Sequence, residues 1–222
     1  MNTTLASLLP YIIGSALVPL QIIVLILLLT GERQGPLKAI LFVLGMTMAR
    51  LAQGVAFGFL LPGGAADAPG AGRFKAALLI VLGIFLLITA YKKWAKEPDP
   101  DAPPPKWLTM LDSVTPLRAF LFGVGFILIA IKLWVFTLGA ITTIGEAQLG
   151  RGPSTVAFLW YVLLAQLLLI LPILIRLLLP KQAAGWLRAF GDWLEKYNGP
   201  IVMVVSLVFG LFFLYRGLSS FF

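Results

Sequence analysis

Two cations stand in the middle of long apolar runs: Arg50 in MTMARLAQG and Lys132 in FILIAIKLWVF. Arg50 lies about a dozen residues from either end of its run, which at roughly 1.5 Å per residue puts water more than about 15 Å away. A centrally placed Arg or Lys costs at least ~2.5 kcal/mol to insert in a bilayer, so it normally faces a carboxylate partner or a watery cavity. The nine acids are Glu32, Asp67, Glu97, Asp99, Asp101, Asp112, Glu146, Asp192 and Glu195, and only Glu146 comes near a span. Cations without a counterion suit an anionic guest such as a phosphate, sulfate or carboxylate, clamped by Arg and attracted by Lys as a point charge. The alternative is that each charge bonds backbone carbonyls freed by a helix break. The sequence leaves open whether Arg50 and Lys132 share one cavity.

Further polar groups stand at similar depth. Pro19 cannot donate an N–H, so a carbonyl near Ser15 loses its partner, and Pro172 does the same in a later run. Broken helices are tolerated at membrane depth where they line a cavity. Ser15, Gln21, Gln53 and Gln166 can line such a path, or bond between helices. The chain has no cysteine and no histidine, which removes thiol chemistry, Cys/His metal sites and imidazole catalysis. With no nucleophile constellation and no phosphate-binding loop, neither an enzyme nor a cofactor is expected. No acid lies near the centre to relay protons, and Glu146 is the one peripheral candidate for ion coupling.

The elements that must position these residues are spans of a membrane. The 222 residues are 60% hydrophobic and 12% charged, with a mean hydropathy of +0.99, far from soluble composition. The net charge of +8 sits mostly beside apolar runs, which argues against nucleic acid as a partner. Six spans can be drawn, at about 5–30, 37–61, 74–91, 116–144, 153–179 and 199–218. The first is read as retained rather than as a cleaved signal. The fourth is long for one crossing, so a break near Lys132 or a tilt is expected. GERQGP forms a tight turn, PGGAADAPGAG a loop, and Thr115 with Pro116 reads as the cap and first position of a helix.

The expected fold is therefore an all-α integral membrane protein. Residues 1–94 form one three-helix unit, 95–115 a Pro/Asp-rich cytoplasmic linker, and 116–222 a second three-helix unit. In the second unit Trp186, Leu187, Phe190, Trp193, Leu194 and Tyr197 recur at helical spacing, which predicts an interfacial amphipathic helix over 183–197. Short likenesses between the halves pair Gln21 with Lys132, RLAQ with LLAQ and VLGIFLL with VFGLFFL. Three spans repeated are necessarily inverted, and such 3+3 inverted repeats place the working site near the midplane. Lys and Arg near span ends number ten on the first, third and fifth connections against four on the other side. This predicts both termini outside a cytoplasmic membrane, by inference a bacterial one. The sequence leaves room for a homodimer.

SALVPLQIIVLILLL, KWLTMLDSVTPLRAF and WLEKYNGPIVMVVSLVFGLFFLYRGL together resemble the GAP family, the peptidoglycolipid- or sulfolipid-addressing branch of the lysine-exporter (LysE) superfamily. The resemblance covers most of the chain. It implies six helices in a three-plus-three arrangement and movement of a polar or glycosylated lipid toward the outer surface. Two departures stand out: only Pro19 remains of a paired-proline motif, with Gln21 at the second position, and Ala130 and Ile131 precede Lys132 where Asn-Pro is usual. A cationic interior argues against lysine or metal export. The expected function is thus a lipid transporter or flippase that holds an anionic or glycosylated headgroup with Arg50, Lys132, Gln21, Gln53, Gln166, Pro19 and Ser15. The alternatives are an exporter or channel for a small soluble anion or amino-acid-like solute, and a non-transporting membrane scaffold for envelope assembly.

Overall fold

The computed structural model describes residues 2–31, 33–60, 71–95 and 114–219. The expected 62–72 loop and the 95–115 linker fall largely outside them. The elements are helices only, among the described residues: α1 (Asn2–Ala16), α2 (Pro19–Thr30), α3 (Gly35–Leu60), α4 (Ala71–Ala95), α5 (Pro116–Ile129), α6 (Ile131–Glu146), α7 (Arg151–Ala165), α8 (Leu167–Leu178) and α9 (Pro180–Ser219). Two helices, Gly35–Gly58 and Gly185–Ser219, are long and apolar enough to cross a membrane, and the count rises to five if each bent helix pair is one span. Leu9, Leu44, Val81, Trp160, Leu178 and Leu211 stay exposed on the outer faces. Such an apolar exterior is that of an integral membrane protein.

Three expected spans are broken. The α1–α2 pair bends by 57°, α5–α6 by 73° and α7–α8 by 57°. The first break follows from Pro19, which has no N–H and takes the first position of α2, where none is needed. The second falls at Ala130, two residues before Lys132, where neither proline nor glycine stands. There Trp134 Nε1 donates to the Leu128 carbonyl at 3.1 Å. The third corrects the expectation of a break at Pro172: the chain turns at Gln166 instead, and Pro172 lies inside α8. Near the start of that helix its missing N–H removes a single bond, whereas Gln166 is held across to α3 by Thr47.

The breaks divide the apolar interior. One cluster gathers α2, the first half of α3, parts of α5 and α8, and Ala183, Leu187 and Leu194 of α9. The other gathers α1, α4, α6, α7 and Phe209 and Phe213 of α9. Ser15, Gln21, Arg50, Gln53, Gln166 and Ser206 are buried along the seam between them. Ser15, Gln21 and Gln166 stand at or beside the breaks, whereas Arg50, Gln53 and Ser206 lie inside unbroken helices.

Close backbone contact fixes the remaining geometry. A Cβ at Gly45 would meet the Phe120 carbonyl and one at Gly123 the Phe42 carbonyl, so α3 and α5 pack without side chains between them. Gly83, Gly210 and Gly217 do the same for α4 and α9. The 183–197 segment is helical as expected, but it runs unbroken into the last span, with Pro200 inside one 40-residue helix. At about 60 Å such a helix is twice the thickness of a hydrocarbon core, so its first half extends past the apolar layer. Its apolar stripe splits in two: Leu187 and Leu194 are buried, while Trp186, Phe190, Trp193 and Tyr197 are exposed.

Candidate functional site

Arg50 is fully buried, and its hydrogen bonds go to two other helices, α1 and α7. It sits where α3 crosses the seam, opposite the end of α1. Its Nη1 donates to Ser15 Oγ at 2.6 Å and to Tyr161 Oη at 3.3 Å. Thr137 Oγ1 spends its own proton on the Leu133 carbonyl at 2.9 Å. The 3.3 Å contact between Tyr161 and Thr137 therefore has the phenol as donor. The chain of donors thus runs from Arg50 through Tyr161 and Thr137 to the first turn of α6, beside the second break. Ser15 and Tyr161 satisfy one guanidinium nitrogen only. Among the described residues, Arg50 Nε and Nη2 have no hydrogen-bond partner, and neither do Tyr11 Oη, Thr143 Oγ1 and both amide atoms of Gln53.

These unpartnered groups share a direction. Gln53 is one turn beyond Arg50 on α3, Tyr11 one turn before Ser15 on α1, and Thr143 lies one turn past Gly139, whose Cα packs on the Tyr11 ring. Because α1 runs antiparallel to α3 and α6, all three steps lead toward the N-terminal end of α1. The interior around Arg50 therefore has donors and acceptors in excess: along their helices Gln53 lies about 4.5 Å from Arg50, Tyr11 about 6 Å from Ser15 and Thr143 about 9 Å from Thr137. No carboxylate is within this group. Glu146 is exposed as the last residue of α6, nine positions or about 13 Å along the helix from Thr137.

Lys132 belongs to a different network. It is half-buried, and its Nζ donates to Ser206 Oγ at 3.5 Å. With Gly14, Leu17, Val18, Pro19 and Ser206 it lines a cavity of about 30 Å³, room for one water. Arg50 and Lys132 thus touch the α1–α2 break from two sides, Arg50 through Ser15 and Lys132 through this cavity. They share no hydrogen-bond partner, among the described residues, and neither bonds a backbone carbonyl. The carbonyls freed by Pro19 are taken instead by Gln21, whose Nε2 donates to Ser15 O at 2.8 Å and Ala16 O at 3.2 Å. Gln166 Nε2 donates to Thr47 Oγ1 at 2.9 Å, while Thr47 gives its own proton to the Val43 carbonyl at 2.8 Å.

The residues that sequence reasoning missed are hydroxyls: Tyr161, Thr137, Tyr11, Thr143, Thr47 and Ser206. Single hydroxyls in apolar helices are common, and nothing in their spacing marked them. Together they convert two isolated cations into a polar layer that can coordinate an oxyanion through guanidinium and O–H donors. No cluster of groups able to hold a metal ion occurs among the described residues.

Searches of the curated proteins and of the solved structures gave no match to this chain. The family model described as Sap, sulfolipid-1-addressing protein, matches residues 8–219. The sequence, the apolar exterior and this match agree, and the chain belongs to the sulfolipid-1-addressing protein family.

Proposed function

We propose that the protein moves an anionic or glycosylated lipid across the bilayer, with the headgroup passing the buried layer at Arg50 while the tails stay in the membrane. The observation that carries this reading is Arg50 itself: a fully buried guanidinium, no carboxylate beside it, and two of its three nitrogens without a partner. A sulfate or phosphate oxygen would take those N–H groups in bidentate geometry. Gln53, Tyr11 and Thr143 would receive it next, since they carry the other unpartnered atoms of this interior, about one to two turns from Arg50, Ser15 and Thr137 along α3, α1 and α6. The family name supports a lipid as the cargo. A scaffold role fits less well, because a purely structural Arg50 would have its donors satisfied.

Motion is supported by how the helices pair. α4 packs on α9, α3 on α5 as α1 on α7, and α2 on α9 as α6 on α4. That exchange of partners is what a 3+3 inverted repeat produces, and rocking of one half on the other opens the midplane to either side. The breaks in the first and fourth spans occupy matching places in the two halves.

The test is reconstitution of the full chain in vesicles with a fluorescent anionic lipid and a zwitterionic control. Arg50→Ala is expected to slow translocation of the anionic lipid by about tenfold or more, as for loss of a charged clamp. Translocation at the wild-type rate in Arg50→Ala would remove the site from the mechanism.

A further inference from the structure

A second cavity, of about 840 Å³, opens far from Arg50, between the end of α2, the start of α3, the start of α5 and the first half of α9. Its volume is that of a small-molecule site. Among the described residues three cations line it, Arg33, Lys38 and Arg188, and no carboxylate does. Lys38 is buried in the wall, whereas Arg33 and Arg188 are exposed and have no acidic partner among the described residues. Two long helices begin at its edge. Gln34 precedes α3, and Thr115 and Pro116 open α5, with Thr115 Oγ1 accepting from Arg118 N at 3.4 Å. Both helix N-termini add positive potential to that of the side chains.

The surroundings distinguish a lipid from a free ion. Leu27 and Val114 give the cavity an apolar wall. On α9, close to Arg188, Trp186, Phe190, Trp193 and Tyr197 form an exposed stripe, with Phe190 on Trp193 at 6.0 Å and Trp193 on Tyr197 at 5.4 Å between ring centroids. Exposed Trp and Tyr of this kind sit at headgroup level. The cavity thus opens at the depth where lipid phosphates and sulfates lie. It is also a separate place: Lys38 is twelve residues before Arg50 on α3, about 18 Å along the helix.

We infer that this cavity is a docking site for the phosphate or sulfate of an anionic lipid in the adjacent leaflet, held by Arg33 and Arg188. It rests on the reading of the protein as a lipid carrier, for which it supplies the loading position, but it is tested by binding rather than by transport. Purified full-length protein in detergent is titrated with phosphatidylglycerol, with phosphatidylcholine and with inorganic phosphate, and bound lipid is counted by native mass spectrometry. The double variant Arg33→Gln/Arg188→Gln is compared with Lys92→Gln/Lys93→Gln, two exposed cations on α4 that do not line the cavity. The expected result is about tenfold weaker phosphatidylglycerol binding in the arginine variant, binding within about twofold of wild type in the lysine variant, and no effect on phosphatidylcholine. A bound phosphatidylglycerol that the arginine variant retains and Arg50→Met loses would belong to the layer at Arg50, so failure at Arg50 and failure here are told apart. Equal losses in the arginine and lysine variants would mean general attraction of a basic membrane edge and would overturn the site. Displacement of the lipid by millimolar inorganic phosphate would overturn the lipid as its occupant. An arginine variant that binds like wild type would overturn the proposal outright. Both arginines are exposed, so unchanged thermal unfolding of the variant is expected and confirms that lost binding is local.

Discussion

At Arg50, Ser15 and Tyr161 occupy one nitrogen and leave the other two unpartnered. A buried charge in that state destabilises the protein that carries it, and replacing it with an apolar chain of similar length relieves the cost. Arg50→Met is therefore expected to raise the unfolding midpoint in detergent, by a margin equivalent to about 2 kcal/mol, while translocation is lost. A structural arginine would give the reverse on stability, so a lowered midpoint would refute the functional assignment. Ser15→Ala removes a short charge-assisted bond and is expected to destabilise by roughly 1.5–3 kcal/mol. Thermal unfolding of both variants, with wild type alongside, checks the pair.

Among the elements, the contact of α3 with α5 offers a test of opposite signs within one helix. Gly123 packs on the Phe42 carbonyl, while a Cβ at Gly125 meets nothing within 4 Å. Gly123→Ala is expected to destabilise by about 2 kcal/mol through a backbone collision, and Gly125→Ala to stabilise by up to about 1 kcal/mol through helix propensity. Equal effects, measured by unfolding of the two variants, would contradict the close approach. The all-helical, apolar character and the two cations were legible in the sequence because apolar length and an interrupting charge are local signals, while of the six spans drawn the structure supports two, or up to five with each bent pair as one. The break beside Lys132 was legible from excess length, and the one at Pro19 from a missing donor. The turn at Gln166 was not, because it depends on Thr47, distant in the chain and unmarked by composition. Whether Arg50 and Lys132 share one cavity was not legible, and it is their hydrogen-bond partners, Ser15 and Tyr161 against Ser206, that set them apart. The hydroxyls of the polar layer became visible only when five helices brought them together.

For the whole molecule, the charge asymmetry of the connections makes topology testable without background, since the chain has no cysteine. Lys92 ends α4 and Arg151 begins α7, both exposed. Single Lys92→Cys and Arg151→Cys variants are expected to differ toward an impermeant maleimide added to intact cells. The label should reach position 151 and not position 92, as cytoplasmic odd connections require. The reverse pattern would invert the orientation, and with it the leaflet from which the Arg33–Arg188 cavity loads.

The pairing of α4 with α9 carries a mechanical consequence. Their glycines let one backbone ride directly on the other, with Gly83 against Gly210 and Leu214, and Gly217 against Ala76 and Ile80. Neither helix can slide along its mate without atoms colliding. On the rocking motion proposed above, this seat would stay undisturbed, the two helices would be the fulcrum and the kinked spans around them the levers.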